Sequence, residues 1–250
     1  MHKRHGSTQF NCFSPPVMAA TLIIEFGLAA YTIWRYKMTV VTRLAVALLA
    51  GLATFQLAEY HVCTGAGTAS AEMWSRIGFV AISTLPAVGT HLMHVLADKP
   101  QRKAVVLSYA SMVGFSVFFL TYSGVFVGHE CTGNYVIFQL GSHIGGVYAL
   151  TYYYLWLAFG IFMGARWANQ LMLKKGKVAR NRLLAVRGLI AGYLVFLVPC
   201  AIANTVSPSS RAGIPSIMCG FAVLLALILV LYILPRAAQA KSVAAHPAVR

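Results

Sequence analysis

The 250-residue sequence predicts an all-α fold: a polytopic membrane protein built as a seven-transmembrane helix bundle, N-terminus out and C-terminus in. Three observations predict it. Hydrophobic residues make up 59% of the chain and charged residues only 10%, with a mean hydropathy of +0.72; a soluble domain carries about 25% charged residues. The apolar residues gather in runs of roughly 20, enough for a helix to cross about 30 Å of hydrocarbon, and a helix satisfies its own backbone polar groups there. The basic residues, finally, fall very unevenly along the chain.

Seven spans follow in order, at about 17–34, 44–62, 77–96, 104–126, 135–162, 184–206 and 214–234. Span 1 begins after "MHKRHG", which raises the alternative of a cleaved secretory signal. The run is long, contains Glu25 and ends in "WRYK" rather than small residues, so retention as a membrane helix is expected. Arg35, Lys37 and Arg43 follow span 1; Lys99, Arg102 and Lys103 follow span 3. Arg166, Lys174, Lys175, Lys177, Arg180, Arg182 and Arg187 follow span 5, and Arg236, Lys241 and Arg250 follow span 7. Sixteen of the 20 Lys and Arg thus lie on one side, leaving Lys3, Arg4, Arg76 and Arg211 on the other. The positive-inside rule makes the crowded side cytoplasmic. The net charge of +15 is then topological, with an attraction to anionic headgroups, and nucleic acid is excluded as the expected partner.

Residues 1–16 are expected as an outward segment, 17–235 as the transmembrane domain and 236–250 as a disordered cytoplasmic tail. The basic stretch 164–183 suggests a short surface helix. No kinase, DNA-binding or other soluble module is expected after span 7.

Two words, "HVCTG" at 61–65 and "HECTG" at 129–133, fall in loops that face outward on this topology. All five cysteines (Cys12, Cys63, Cys131, Cys200 and Cys219) lie in the outer half. In a bacterial inner membrane that half meets a compartment where disulfides persist. A Cys63–Cys131 disulfide clamping the two loops is the plain reading, with stabilisation of about 2–4 kcal/mol. The sharper reading is a metal site: His61, Cys63, His129 and Cys131 offer the two thiolates and two imidazoles that suit zinc. Spacing alone leaves both open. No cofactor is firmly implied; zinc or another transition metal is the one to test.

Ionisable side chains inside spans default to functional hypotheses. Thr21, Glu25, Ala29 and Thr32 form a stripe on span 1, with Glu25 about 13 Å deep at 1.5 Å per residue. Gln56, Glu59 and Cys63 share a stripe on span 2. His143 enters span 5 to a similar depth within "GSHIGG", whose small residues permit close helix approach, and Tyr148 and Tyr152 follow below. Glu25, Gln56, Glu59 and His143 are therefore expected to line one outward-opening polar pocket, with Glu25 and His143 paired. The plainer alternative is a set of interhelical hydrogen bonds holding the bundle. On span 3, Thr84, His91, His94 and Asp98 follow helical spacing. His91 and His94 are a second candidate metal pair, with Asp98 set to orient His94, but no further His lies at that level.

The stretches "LLAGLATFQLAEY", "WSRIGFVAISTLPAVGTHL" and "GYLVFLVPCAIAN", with span order and loop length over roughly residues 20–235, resemble the seven-span membrane sensor domain at the N-terminus of some bacterial histidine kinases. The resemblance implies sensing of a ligand or of the membrane state, with output through a separate cytoplasmic partner or a homo-oligomer. The basic loop after span 5 and Pro199 in span 6 are candidate output and hinge points. A receptor-like ligand-binding sensor is the leading expectation. A membrane-embedded metal-dependent enzyme or redox protein is the alternative, and a small proton-coupled transporter using Glu25 is the third.

Overall fold

A computed structural model describes residues 15–66, 68–99, 102–131, 136–141, 143–206 and 213–245. Lys3, Arg4, Cys12 and Arg211 lie outside them. Among the described residues seven helices are long and apolar enough to cross a membrane. They are α1 (Pro15–Arg35), α2 (Val40–Thr64), α3 (Ala71–Ala97), α4 (Arg102–Thr121), α5 (Ile144–Met172), α6 (Lys177–Val206) and α7, which runs Ile214–Leu227, takes π form over Ile228–Ile233 and continues as Leu234–Ala245.

Local chemistry sets the ends. The Thr39 hydroxyl accepts from the Thr42 N–H to start α2, and Gly65 closes it at φ 63°, a conformation glycine adopts without steric cost. Ser70 caps α3 by accepting from the Met73 N–H, and Asp98 ends it at φ 54°. Arg76 binds Glu72 and donates to the Phe119, Leu120 and Tyr122 carbonyls, so this basic residue closes the C-terminal end of α4. Asp98 forms an ion pair with Arg182 of α6, which ties the opposite end of the bundle.

Packing follows the small residues. Helices already in lipid gain little from further removal of apolar surface from water, so close van der Waals contact must hold them together. A Cβ on Gly78 of α3 would sit 3.1 Å from Ala58 Cβ and 3.3 Å from Phe55 Cδ2 of α2; hydrogen at that position lets the two backbones approach. α4 buries only Ser108 and Phe119 among its side chains and turns Val106, Val113 and Val117 outward, the expected face for lipid.

The main departure from an all-helical chain precedes α5. Span 5 was expected to start near residue 135, and span 4 to reach 126. Instead β1 (Phe126–Cys131) and β2 (Val136–Leu140) pair antiparallel, with Cys131 opposite Val136, His129 opposite Phe138, and a bulge between Phe126 and Gly128. The reason is a period-2 pattern: Val136 and Phe138 are buried while Gln139 is exposed, and alternation of that kind makes a half-buried strand rather than a helix.

Two smaller corrections concern the basic end. Residues 164–183 form no separate surface helix. α5 continues to Met172, and α6 starts at Lys177 beyond Gly176 at φ 111°. Nor is the chain from 236 a disordered tail, because α7 stays helical to Ala245. Its alanines are strong helix formers, Ala240 is buried, and Asn181 of α6 donates to Gln239 at 3.4 Å. Residues 246–250 lie outside the described chain.

Candidate functional site

The hairpin is fixed at one end of the bundle. Cys63, in the last turn of α2, and Cys131, at the end of β1, form a disulfide with Cα atoms 5.7 Å apart. Tied together, the two sulfurs present no thiolate to a metal, so the zinc reading of His61, Cys63, His129 and Cys131 is not realised. Both histidines have other surroundings. His61 stacks on Trp74 at 4.1 Å between ring centroids, and its Nδ1 lies 2.7 Å from the Ala66 carbonyl. His129 is exposed on β1. Among the described residues no group of three His, Cys, Asp or Glu is arranged to hold a metal ion.

Beneath the hairpin lies a cavity of about 450 Å³. Phe138 and Leu140 of β2 line it from above, Phe79 and Ile82 of α3 from one side, Tyr148, Tyr153 and Tyr154 of α5 from another, and Pro215, Met218 and Cys219 of α7 close it. Among the described residues His143 is the sole ionisable nitrogen on its wall. The residue is exposed and sits at φ 66°, just before α5. The glycines of "GSHIGG" serve this cavity rather than a helix crossing: a Cβ on Gly145 would meet Leu140 Cδ1 at 3.1 Å, and one on Gly146 would meet nothing within 4 Å.

The α5 wall is irregular but anchored. Residues Ala149–Tyr153 take π form, a distortion that often accompanies functional sites. Tyr148 precedes it and Tyr152 lies within it, and both reach Ser83 of α3: the Tyr148 hydroxyl lies 2.9 Å from Ser83 Oγ, and the Tyr152 hydroxyl donates to the Ser83 carbonyl. Phe119 packs edge-on to Tyr148 at 4.9 Å, and Phe115 lies 5.0 Å from Tyr152. These rings hold the wall against α3 and α4.

The acids expected in one pocket with His143 form a separate group. Glu25 of α1 is 0% exposed, and Gln56 and Glu59 of α2 are each 1% exposed. Glu25 and Glu59 sit on helices α1 and α2, which pack directly against each other. Both Glu25 oxygens, Glu59 Oε1 and Gln56 Nε2 have no hydrogen-bond partner among the described residues. Thr21 and Thr32 of the same stripe bond back to carbonyls of α1 and leave Glu25 alone. The described chain has two salt bridges, Arg76–Glu72 and Arg182–Asp98, so the expected Glu25–His143 pair is not formed. His143 sits at the cavity rim, and the acids lie between α1, α2 and α7.

α7 connects the two regions. The Ser216 hydroxyl hydrogen-bonds Glu59 and accepts from the Val136 N–H of the hairpin at 3.1 Å. Cys219, one turn further on, faces the cavity. Ser216 carried no signal in the sequence beyond being a small polar residue in an apolar run. Cys219 stood out only as one of five outer cysteines.

The span-3 histidines diverge. His91 Nδ1 lies 3.1 Å from the Tyr109 hydroxyl of α4. His94 Nδ1 bonds the Thr90 carbonyl of its own helix, and its ring packs edge-on to Trp167 of α5. Asp98, expected to orient His94, pairs with Arg182 instead. One histidine serves α4 and the other serves α5, so they do not converge on a metal.

No protein-family model and no curated protein matches this chain.

Proposed function

We propose that this chain is a receptor-like membrane sensor that binds a neutral, largely apolar ligand in the cavity beneath the hairpin. The observation that carries the reading is the cavity itself: about 450 Å³, lined by aromatic and aliphatic side chains with a few hydroxyls and one histidine. Binding sites for small molecules have this size and this apolar majority. The walls also suit a response to occupancy. The hairpin is pinned at Cys131 but otherwise meets the ligand through Phe138 and Leu140, and the π segment of α5 is a place where helical register can shift. The signal then passes through the bundle to the basic end, where Lys174 to Lys177 join α5 to α6 and a cytoplasmic partner or a second copy receives it.

The orientation belongs to the same proposal: hairpin and N-terminus outside a bacterial inner membrane, basic end and C-terminus inside. The uneven distribution of Lys and Arg supports it, and a disulfide at the hairpin end agrees with an oxidising exterior.

The test uses the full chain in lipid nanodiscs and a diazirine-bearing long-chain neutral alcohol as probe. Photolabelling is expected on Tyr154 or Met218 and is expected to fall at least tenfold in Ala149→Trp, which fills the cavity. Labelling confined to outward residues of α4, unchanged by that substitution, overturns the reading.

A further inference from the structure

Two carboxyl groups buried on the packed helices α1 and α2 of the membrane-spanning core, with three of their four oxygens unpartnered, need a counter-charge. A buried ionised carboxylate without a partner is very costly, and a second one beside it adds repulsion. Among the described residues, the polar side chains identified around them are neutral or acidic. α1 contributes Glu25, α2 contributes Gln56 and Glu59, and α7 contributes Ser216 and Cys219, with Cys200 of α6 beyond. Among the described residues no Lys, Arg or His forms a salt bridge with either acid.

Gln56 adds an independent observation. Its side chain is 1% exposed, it lies one turn before Glu59 on the same helical stripe, and its Nε2 has no partner. The unpartnered atom is the amide nitrogen, so on this stripe a buried donor as well as the buried carboxylate oxygens is left without a partner. Ser216 already donates its proton toward Glu59 while receiving the Val136 N–H, so its remaining lone pair is a further oxygen donor. Carboxylate and hydroxyl oxygens are hard donors that suit a small monovalent cation or a shared proton.

We propose that Glu25 and Glu59 form a site for one exchangeable monovalent cation, a proton or Na⁺, enclosed by α1, α2 and α7. The site stands apart from the cavity occupant proposed above, because neither acid lines the cavity. Occupancy of the site bears on the hairpin through Ser216 and Val136, and on the cavity wall through Cys219. The bound cation removes the mutual repulsion of the acids and draws α1 toward α2; its loss loosens that contact.

Two measurements on the nanodisc-embedded chain at alkaline pH test the proposal and separate its two ligands. Infrared spectroscopy in sodium-free buffer reads the carbonyl stretch of a protonated carboxyl, with its shift on exchange into D₂O. Thermal unfolding in NaCl against N-methyl-D-glucamine chloride of equal ionic strength reads Na⁺. Proton occupancy gives a D₂O-sensitive band that is lost or displaced in Glu25→Gln and in Glu59→Gln. Na⁺ occupancy gives a Tm higher in sodium by about 5–10 °C when Na⁺ stands at roughly a hundredfold its Kd, abolished by either substitution. Should a variant fail to assemble, the wild-type measurements still decide, because only five acids are present in the whole chain. Wild-type protein with neither the band nor the sodium shift overturns the site. Photolabelling of the cavity stays unaffected by that result, so the two proposals fail separately.

Discussion

Ser216 accepts the Val136 N–H at 3.1 Å and thereby joins a hairpin strand to a helix that also reaches Glu59. Replacing Ser216 by Ala removes the acceptor and leaves the buried Val136 N–H without one, at a cost of about 1–3 kcal/mol. Hydrogen exchange at Val136 is expected to accelerate by one to two orders of magnitude, with the exchange of α3 amides unchanged. Equal acceleration throughout would mean that Ser216 supports the whole bundle rather than the hairpin.

The Cys63–Cys131 bond spans 68 residues of sequence, and closing a loop of that length restricts the unfolded chain considerably. Cys63→Ser is expected to lower stability by about 2–4 kcal/mol and to free Cys131 for alkylation. Since Cys131 is exposed on β1, the alkylation needs no unfolding. Peptide mapping without reductant checks the linkage directly, and reduced thiols at both positions in air-exposed, metal-free protein would remove the staple from the account.

Orientation is checked by labelling cysteines introduced singly into a background without native cysteines. His129→Cys and Lys175→Cys both place the thiol on an exposed residue, so accessibility differs only by side of the membrane. An impermeant maleimide added to intact cells is expected to modify position 129 and spare 175. The opposite pattern inverts the bundle and withdraws the redox reasoning with it.

Helix existence was legible because runs of about 20 apolar residues admit little else in lipid. Orientation toward neighbours was not. Spacing put Thr21, Glu25 and Thr32 on one stripe of α1, and the structure buries that stripe, yet nothing in spacing says which helix it meets. His143 illustrates the limit. Its depth was counted along a helix starting near 135, but the alternation of Val136, Phe138 and Leu140 makes a strand, so the helix starts nine residues later and His143 moves to the rim. The His91–His94 pair failed for a related reason: residues three apart share a face only roughly, and here the two rings turn to different helices. The partner of Glu59, by contrast, was invisible because Ser216 lies far away in sequence and has no pattern of its own.

The separation of Glu25 from His143 gives the sharpest remaining prediction. Had they been an ion pair, removing either would leave the other uncompensated, and the double substitution would cost less than the sum of the singles. The structure instead buries Glu25 and Glu59 on the packed helices α1 and α2 and leaves His143 at the cavity rim, with no salt bridge between Glu25 and His143. Glu25→Gln, His143→Gln and the double variant are therefore expected to be additive in unfolding free energy to within about 0.5 kcal/mol. Glu25→Gln paired with Glu59→Gln is expected to be non-additive by more than that, because the first substitution already relieves the repulsion that the second would remove. Denaturant titration of all five variants in one detergent measures both cycles. Coupling in the Glu25–His143 cycle would restore a single shared pocket; additivity in the Glu25–Glu59 cycle would dissolve the acid pair.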